Sequence, residues 1–165
     1  MFSFVKILPL ALLVLLMSAC SNVKLEEKND IASSNSVSSL SYDPIDDSKT
    51  IVYGKRSIYF DFDSYSVDPK YAPVITAHAT YLKTLKKDKV VILIQGNTDD
   101  RGTAEYNLAL GQRRSEAVKR ALISQGVNES QVEAVSFGKE KPVNSAQTEK
   151  AYQENRRADF VYQLN

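Results

Sequence analysis

Residues Val90–Ile94 form an unbroken run of β-branched residues and leucine, Val-Val-Ile-Leu-Ile. A strand covered on one face alternates apolar and polar side chains, so five apolar residues in a row mark a strand buried on both faces. The next stretch is equally constrained. Gly96 to Gly102 reads as a loop, and the chain then reads as a helix to about Ser124, closed by Gly126. Its inward positions are expected at Leu108, Ala117, Val118, Ala121 and Leu122.

Other elements fall into place around this unit. Ser57–Phe62 alternates in period two, which puts Ile58, Phe60 and Phe62 on one face of a strand. Pro69 suits the first turn of a helix, on which Tyr71, Val74, Ile75, His78, Leu82 and Leu85 mark a single stripe. Asn128 can cap a short turn before a strand at Val132–Phe137. Lys139 to Thr148 is a polar loop. Ala151–Arg156 is a candidate short helix, and Ala158, Phe160 and Tyr162 alternate along a last strand. Strands alternating with helices give an α+β domain of two layers, with helices on one face of a mixed four-stranded sheet.

The N-terminal third is different. Residues 1–19 carry Lys6 and then an apolar run from Ile7 to Met17, too short to span a bilayer and of signal-peptide length. Met17-Ser18-Ala19 places small residues before Cys20, the only cysteine. One reading of Cys20 is an incidental thiol. The other is a bacterial lipobox, which the segment resembles; that implies acylation, with Ser21 favouring the outer membrane. Residues 20–50 are expected to be an acylated cysteine followed by a disordered linker, since 21–50 hold eight serines and six acidic residues and no period. The folded domain is then expected at 51–165. Lys+Arg number 21 against 20 Asp+Glu, and Lys6 is the only charge in the leader. A balanced chain argues against a nucleic-acid partner.

Asp99 and Arg114 are the chemically informative pair, fifteen positions apart across the loop and the first turns of the helix. A carboxylate and a guanidinium facing one pocket can grip a zwitterion, one taking an ammonium and the other forking onto a carboxylate. The plainer alternative is a structural ion pair between them. Asp61 reads as a loop-bonding carboxylate rather than half of an acid/base pair or a metal site with Asp63, Asp99 and Asp100. His78, the only histidine, falls on an apolar stripe and is expected to be a packed, hydrogen-bonded core residue. Arg156 and Arg157 divide evenly between supporting the pocket and being solvated. No serine-elbow, zincin or phosphate-loop signature appears.

Around the pair run Gly96-x-Thr98-Asp99, Arg101-Gly102-Thr103, Tyr106-Asn107 and Leu110-Gly111-x-Arg113-Arg114, with Tyr59-Phe60-Asp61-Phe62-Asp63, Ala77-His78-Ala79, Ser136 to Pro142 and Asn155-Arg156-Arg157 outside it. This ordered set resembles the OmpA-like peptidoglycan-binding domain family, over roughly Ser57 to Tyr162. The resemblance implies a two-layer OmpA C-terminal-like fold with two main helices and a short third. It also implies ligand roles: Asp99 for the ammonium of diaminopimelate and Arg114 for its carboxylate, with Asp63 ending the first strand beside the pocket. Asn107 would supply amide hydrogen bonds, Leu110 would pack on the aliphatic stem, and Thr98 is a weaker candidate. Asn97 departs from the family, where many members carry histidine. The implied partners are peptidoglycan, the outer membrane through acyl chains on Cys20, and a periplasmic protein of the TolB type. Catalysis, metal and cofactors are not implied. The alternatives are an OmpA-like lipoprotein of another envelope machine and, from a different class, a periplasmic wall hydrolase.

Overall fold

The computed structural model describes residues 42–85 and 90–164. Cys20, the leader and most of the expected linker lie outside the described residues. The elements are β1 (Ser57–Tyr59), α1 (Ala72–Thr84), β2 (Val90–Asn97), α2 (Ala104–Ser124), β3 (Val132–Gly138), α3 (Glu149–Asn155) and β4 (Arg157–Leu164). The strands order as β1-β4-β2-β3, with β2 and β3 parallel and β4 antiparallel to both β1 and β2. This is the α+β arrangement expected, a mixed four-stranded sheet with two main helices and a short third. Among the described residues, no helix is long and apolar enough to cross a membrane.

The Val90–Ile94 run becomes β2, held between β4 and β3, with Ile92 and Ile94 fully buried. The core joins them to Ile58, Phe60, Ile75, Leu82, Val118, Leu122 and Phe160. Helix α2 lies so close to β2 that glycine is required on both sides. A Cβ on Gly96 would sit 1.9 Å from the Gly111 carbonyl oxygen, and one on Gly111 would sit 2.3 Å from Ser136 Oγ. This backbone-to-backbone approach draws the first turns of α2 down onto the end of β2.

Three expectations need correction. The first strand ends at Tyr59, not Phe62; Ile58 and Phe60 are buried as the alternation requires, but Phe62 is 62% exposed. The chain has left the sheet by then, and Asp63 takes a left-handed conformation (φ 54°), so alternation no longer maps to faces. Asp63 therefore lies beyond the strand instead of ending it. Leu108, expected inward, is 53% exposed, because the buried face of α2 runs through Asn107, Leu110, Gly111, Arg114, Ser115, Val118 and Leu122. Residues 42–50, read as linker, belong to the packed unit. Ile45 and Val52 are buried in the core, and Arg56 bonds Asp43 (3.2 Å) and Asp46 (2.7 Å).

His78 is fully buried in α1, as its stripe position requires. Its ring stacks 3.8 Å from Phe160. Nε2 lies 2.7 Å from the Lys55 carbonyl, so that nitrogen must donate. Nδ1 is then an acceptor for the Tyr162 hydroxyl at 2.8 Å. Burial pushes its pKa down to about 4, against the smaller raising effect of the Lys55 carbonyl.

Candidate functional site

A cavity of about 180 Å³ opens where β2 gives way to the loop before α2. It is smaller than the ~300 Å³ at which drug-sized pockets begin, and suits the end of an amino acid. Thr98, Asp99, Asn107, Leu110, Arg114 and Asp63 all line it. Helical spacing explains half of that set: positions 107, 110 and 114 share one face of α2, two turns deep. The pocket therefore meets the flank of α2. At the helix end, Thr103 is the N-cap and its side chain accepts from the Tyr106 amide.

Arg114 is fully buried. Its Nε donates to the Ser64 carbonyl at 2.8 Å, one terminal nitrogen to Asn97 at 2.8 Å and the other to Asp61 at 3.2 Å. A guanidinium has five N–H donors, so one on each terminal nitrogen remains. A carboxylate can accept from donors on both terminal nitrogens of a guanidinium. Burial pushes the pKa of Arg114 down to about 10, partly countered by the Asp99 charge, and the group stays cationic at neutral pH. Phe60 supports it from one side, ring centroid 5.1 Å away.

Asp99 is 4% exposed and is held by other arginines. Its Oδ2 accepts from Arg101 at 2.6 Å and from Arg156 at 3.2 Å, while Oδ1 accepts from the Arg101 amide at 3.3 Å. Among the described residues no salt bridge joins Asp99 to Arg114, so the simple ion pair between them does not form. Burial pushes the Asp99 carboxyl up, and the two guanidiniums more than offset this, leaving its pKa below the ordinary value.

The remaining residues organise the walls. Asn107 donates through Nδ2 to the Arg101 carbonyl at 2.9 Å and so shapes the loop, while Thr98 donates through Oγ1 to the Asp99 carbonyl at 2.9 Å. Leu110 is the apolar wall, 6% exposed. Asp63 accepts a hydrogen bond from the Tyr106 hydroxyl across the mouth. Asp61 lines a neighbouring cavity instead, with Tyr59 and Lys70.

Neither Arg156 nor Arg157 is solvated; each is 5% exposed. Arg156 lines the pocket, donating to the Phe60 carbonyl at 3.1 Å, to Asp99 and to Glu149 at 3.0 Å. Arg157 turns to Asp159 at 3.0 Å and to the Lys141 carbonyl. Phe62, Arg101 and Tyr106 also line the pocket and were not singled out by sequence. Arg101 and Tyr106 lay inside the matched motifs; Phe62 was hidden by its assignment to a strand face. Asn97, where the family pattern departs, is buried behind Arg114, with Nδ2 donating to the Gln95 carbonyl at 3.0 Å. The pocket thus sets three guanidiniums against two carboxylates, an excess that suits an anionic group with one cationic counterpart.

The domain thus carries a small charged pocket on the flank of a sheet-packed helix. The OmpA family model matches residues 59–156, and the chain belongs to the OmpA family. It is 48% identical over 107 residues to the peptidoglycan-associated lipoprotein of Pasteurella multocida, covering 65% of this chain and 70% of that one. It is 40% identical over 159 residues to the Haemophilus influenzae protein of the same name, covering 96% and 98%. The crystal structure of the peptidoglycan-associated lipoprotein from Burkholderia pseudomallei superposes with a TM-score of 0.68 at 57% identity, covering 73% of this chain and all of that one.

Proposed function

We propose that this protein is a peptidoglycan-associated lipoprotein that binds the wall non-covalently through the diaminopimelate of the stem peptide and catalyses no reaction. In this reading Cys20 carries acyl chains that hold the protein in the outer membrane, with the domain facing the periplasm. The two contacts together tether the membrane to the wall, within a Tol-Pal system serving envelope integrity and cell division. A TolB-like periplasmic protein is the proposed partner, competing with the wall for an overlapping surface.

One observation carries the ligand assignment: Arg114 keeps a donor on each terminal nitrogen in a pocket that also holds the Asp99 carboxylate. A free amino-acid end presents an ammonium and a carboxylate on one carbon, one partner for Asp99 and one for Arg114, and both residues line this cavity. Names of relatives support the association with peptidoglycan, since those at 48% and 40% identity are peptidoglycan-associated lipoproteins.

Co-sedimentation with purified sacculi tests it. The wild type should pellet with the wall and release no soluble fragments, and Asp99→Ala should stay in the supernatant while still folded. Release of labelled fragments would reveal a hydrolase, and equal pelleting of both forms would remove the pocket from the binding. Anchoring is tested separately: Cys20→Ser should take up no radiolabelled palmitate.

A further inference from the structure

Arg101 differs from the other cations of the pocket. Arg114 and Arg156 are buried and fastened to backbone carbonyls. The Arg101 side chain is 38% exposed and its bonds go to carboxylates, 2.6 Å to Asp99 and 3.5 Å to Glu149. Its guanidinium lies between two aromatic rings, 4.3 Å from the Phe62 centroid and 4.4 Å from that of Tyr152. Two ring faces and two carboxylates make a site that attracts any cation, and a side chain of the protein already fills it.

Asp99 is correspondingly close to saturation. It accepts three hydrogen bonds, two from Arg101 and one from Arg156, and a carboxylate has about four lone-pair sites. One of those three comes from the Arg101 amide, and about one site stays open; an ammonium that enters the ring-lined position against Oδ2 must take the place of the Arg101 guanidinium. Arg156 is buried and held in place by the Phe60 carbonyl and Glu149, whereas the exposed Arg101 can exchange into water.

We infer that Arg101 is a resident competitor for the ligand's ammonium: its guanidinium occupies the cation subsite formed by Phe62, Tyr152 and Asp99, and the ligand binds by displacing it. This rests on the diaminopimelate reading of the same pocket. Exchanging one cation for another against the same carboxylate gains little, so an amine alone binds weakly. The gain comes from the carboxylate that reaches Arg114. Competition acts on every ligand that uses the cation subsite, so it sets overall affinity, while Arg114 sets the ranking of ligands.

Calorimetric titration of the purified chain in detergent tests this, with a stem tripeptide ending in diaminopimelate and its lysine-ended counterpart, which lacks the second carboxylate. Folded Arg101→Ala should bind both about fivefold tighter than wild type, with their ratio unchanged. Arg101→Lys, which keeps a competing cation, should stay near wild type. Unchanged or weaker binding by Arg101→Ala overturns the inference while leaving the diaminopimelate reading intact, since a residue that only braces Asp99 could not improve affinity when lost. Failure of the wild type to bind the diaminopimelate peptide overturns both. The Nε–H resonance of wild-type Arg101 gives a readout independent of any variant. At saturation it should move to the position of a solvent-exposed arginine, and a resonance that stays put refutes displacement.

Discussion

The two ends of the sheet bury polar groups by opposite means. Where β2 stops and β4 begins, Asp99, Arg114, Arg156 and Arg157 are each 5% exposed or less, and charge is matched by carbonyls and counter-charges. At the other end His78 is fully buried and neutral, both ring nitrogens bonded and one face stacked on Phe160. The His78 ring has no hydrogen-bonding capacity left over and packs as core. The arginine end retains donors beside a cavity, and leftover capacity in a desolvated place is what recognises a ligand.

The comparison breaks most visibly at Arg114. Arg114→Ala orphans three backbone carbonyls and leaves Asp99 with less neutralising charge, so unfolding free energy should fall by about 3–5 kcal/mol. Denaturant titration should show this as a lower midpoint, and sacculus binding should be lost even below that midpoint. Arg114→Lys should recover part of the stability but little binding, because an ammonium cannot offer two parallel N–H groups. The histidine end has a purely apolar counterpart. Ile45→Ala should cost about 2–4 kcal/mol without changing wall affinity. A chain beginning at Ile51 should be less stable still, since it lacks Ile45 altogether.

Acid separates the two ends by pH window. The folded pKa of His78, about 4, lies below its ordinary value of 6.5, so the unfolded chain binds the extra proton in between. Stability is therefore complete above pH 6.5 and falls through that window, by roughly 3 kcal/mol at pH 4. The single histidine resonance should titrate near pH 4, and His78→Gln should flatten the stability profile between pH 4 and 6.5. Asp99 acts lower. Its depressed pKa makes a contribution that is present above the ordinary carboxyl value and is lost below it. Asp99→Asn should change the profile only in that lower range. At the helix–sheet contact, Gly111→Ala should cost about 1–3 kcal/mol by lifting α2, and wall binding should weaken as Arg114 moves with it.

How much of this was readable from sequence depends on whether burial followed hydrophobicity. Val90–Ile94, the α1 stripe and His78 obeyed that rule, and their elements and environments fall where periodicity places them. Helix α2 followed it at Val118 and Leu122 but not in its first turns, because the inward face there carries Asn107 and Arg114 at positions where a hydrophobic count looks for leucine. That count chose Leu108, which is exposed. Phe62 failed for a different reason, since period two holds only while the chain remains in the sheet. Residues 42–50 look like linker because serine and aspartate outnumber apolar side chains there, yet one buried isoleucine and a two-carboxylate clasp on Arg56 suffice to fold them down. The pocket residues were found through ordered motifs. Composition could not show that Asp99 would pair with Arg101 and Arg156 instead of Arg114.

The clasp has a mechanical consequence. The described chain enters at Tyr42, near the histidine end, and β1 runs from there toward the pocket, paired antiparallel with β4. A pull between the N-terminal segment and a ligand in the pocket acts along the strands. Hydrogen bonds between antiparallel strands lie across that direction, so they are loaded together in shear and not unzipped one at a time. Before β1 is loaded, the pull must first open the Asp43 and Asp46 contacts to Arg56 and extract Ile45. The segment read as slack would thus act as the first element to yield. Pulling single molecules from residue 42 should show a small early extension that disappears in Arg56→Ala, followed by a larger rupture that the substitution leaves unchanged.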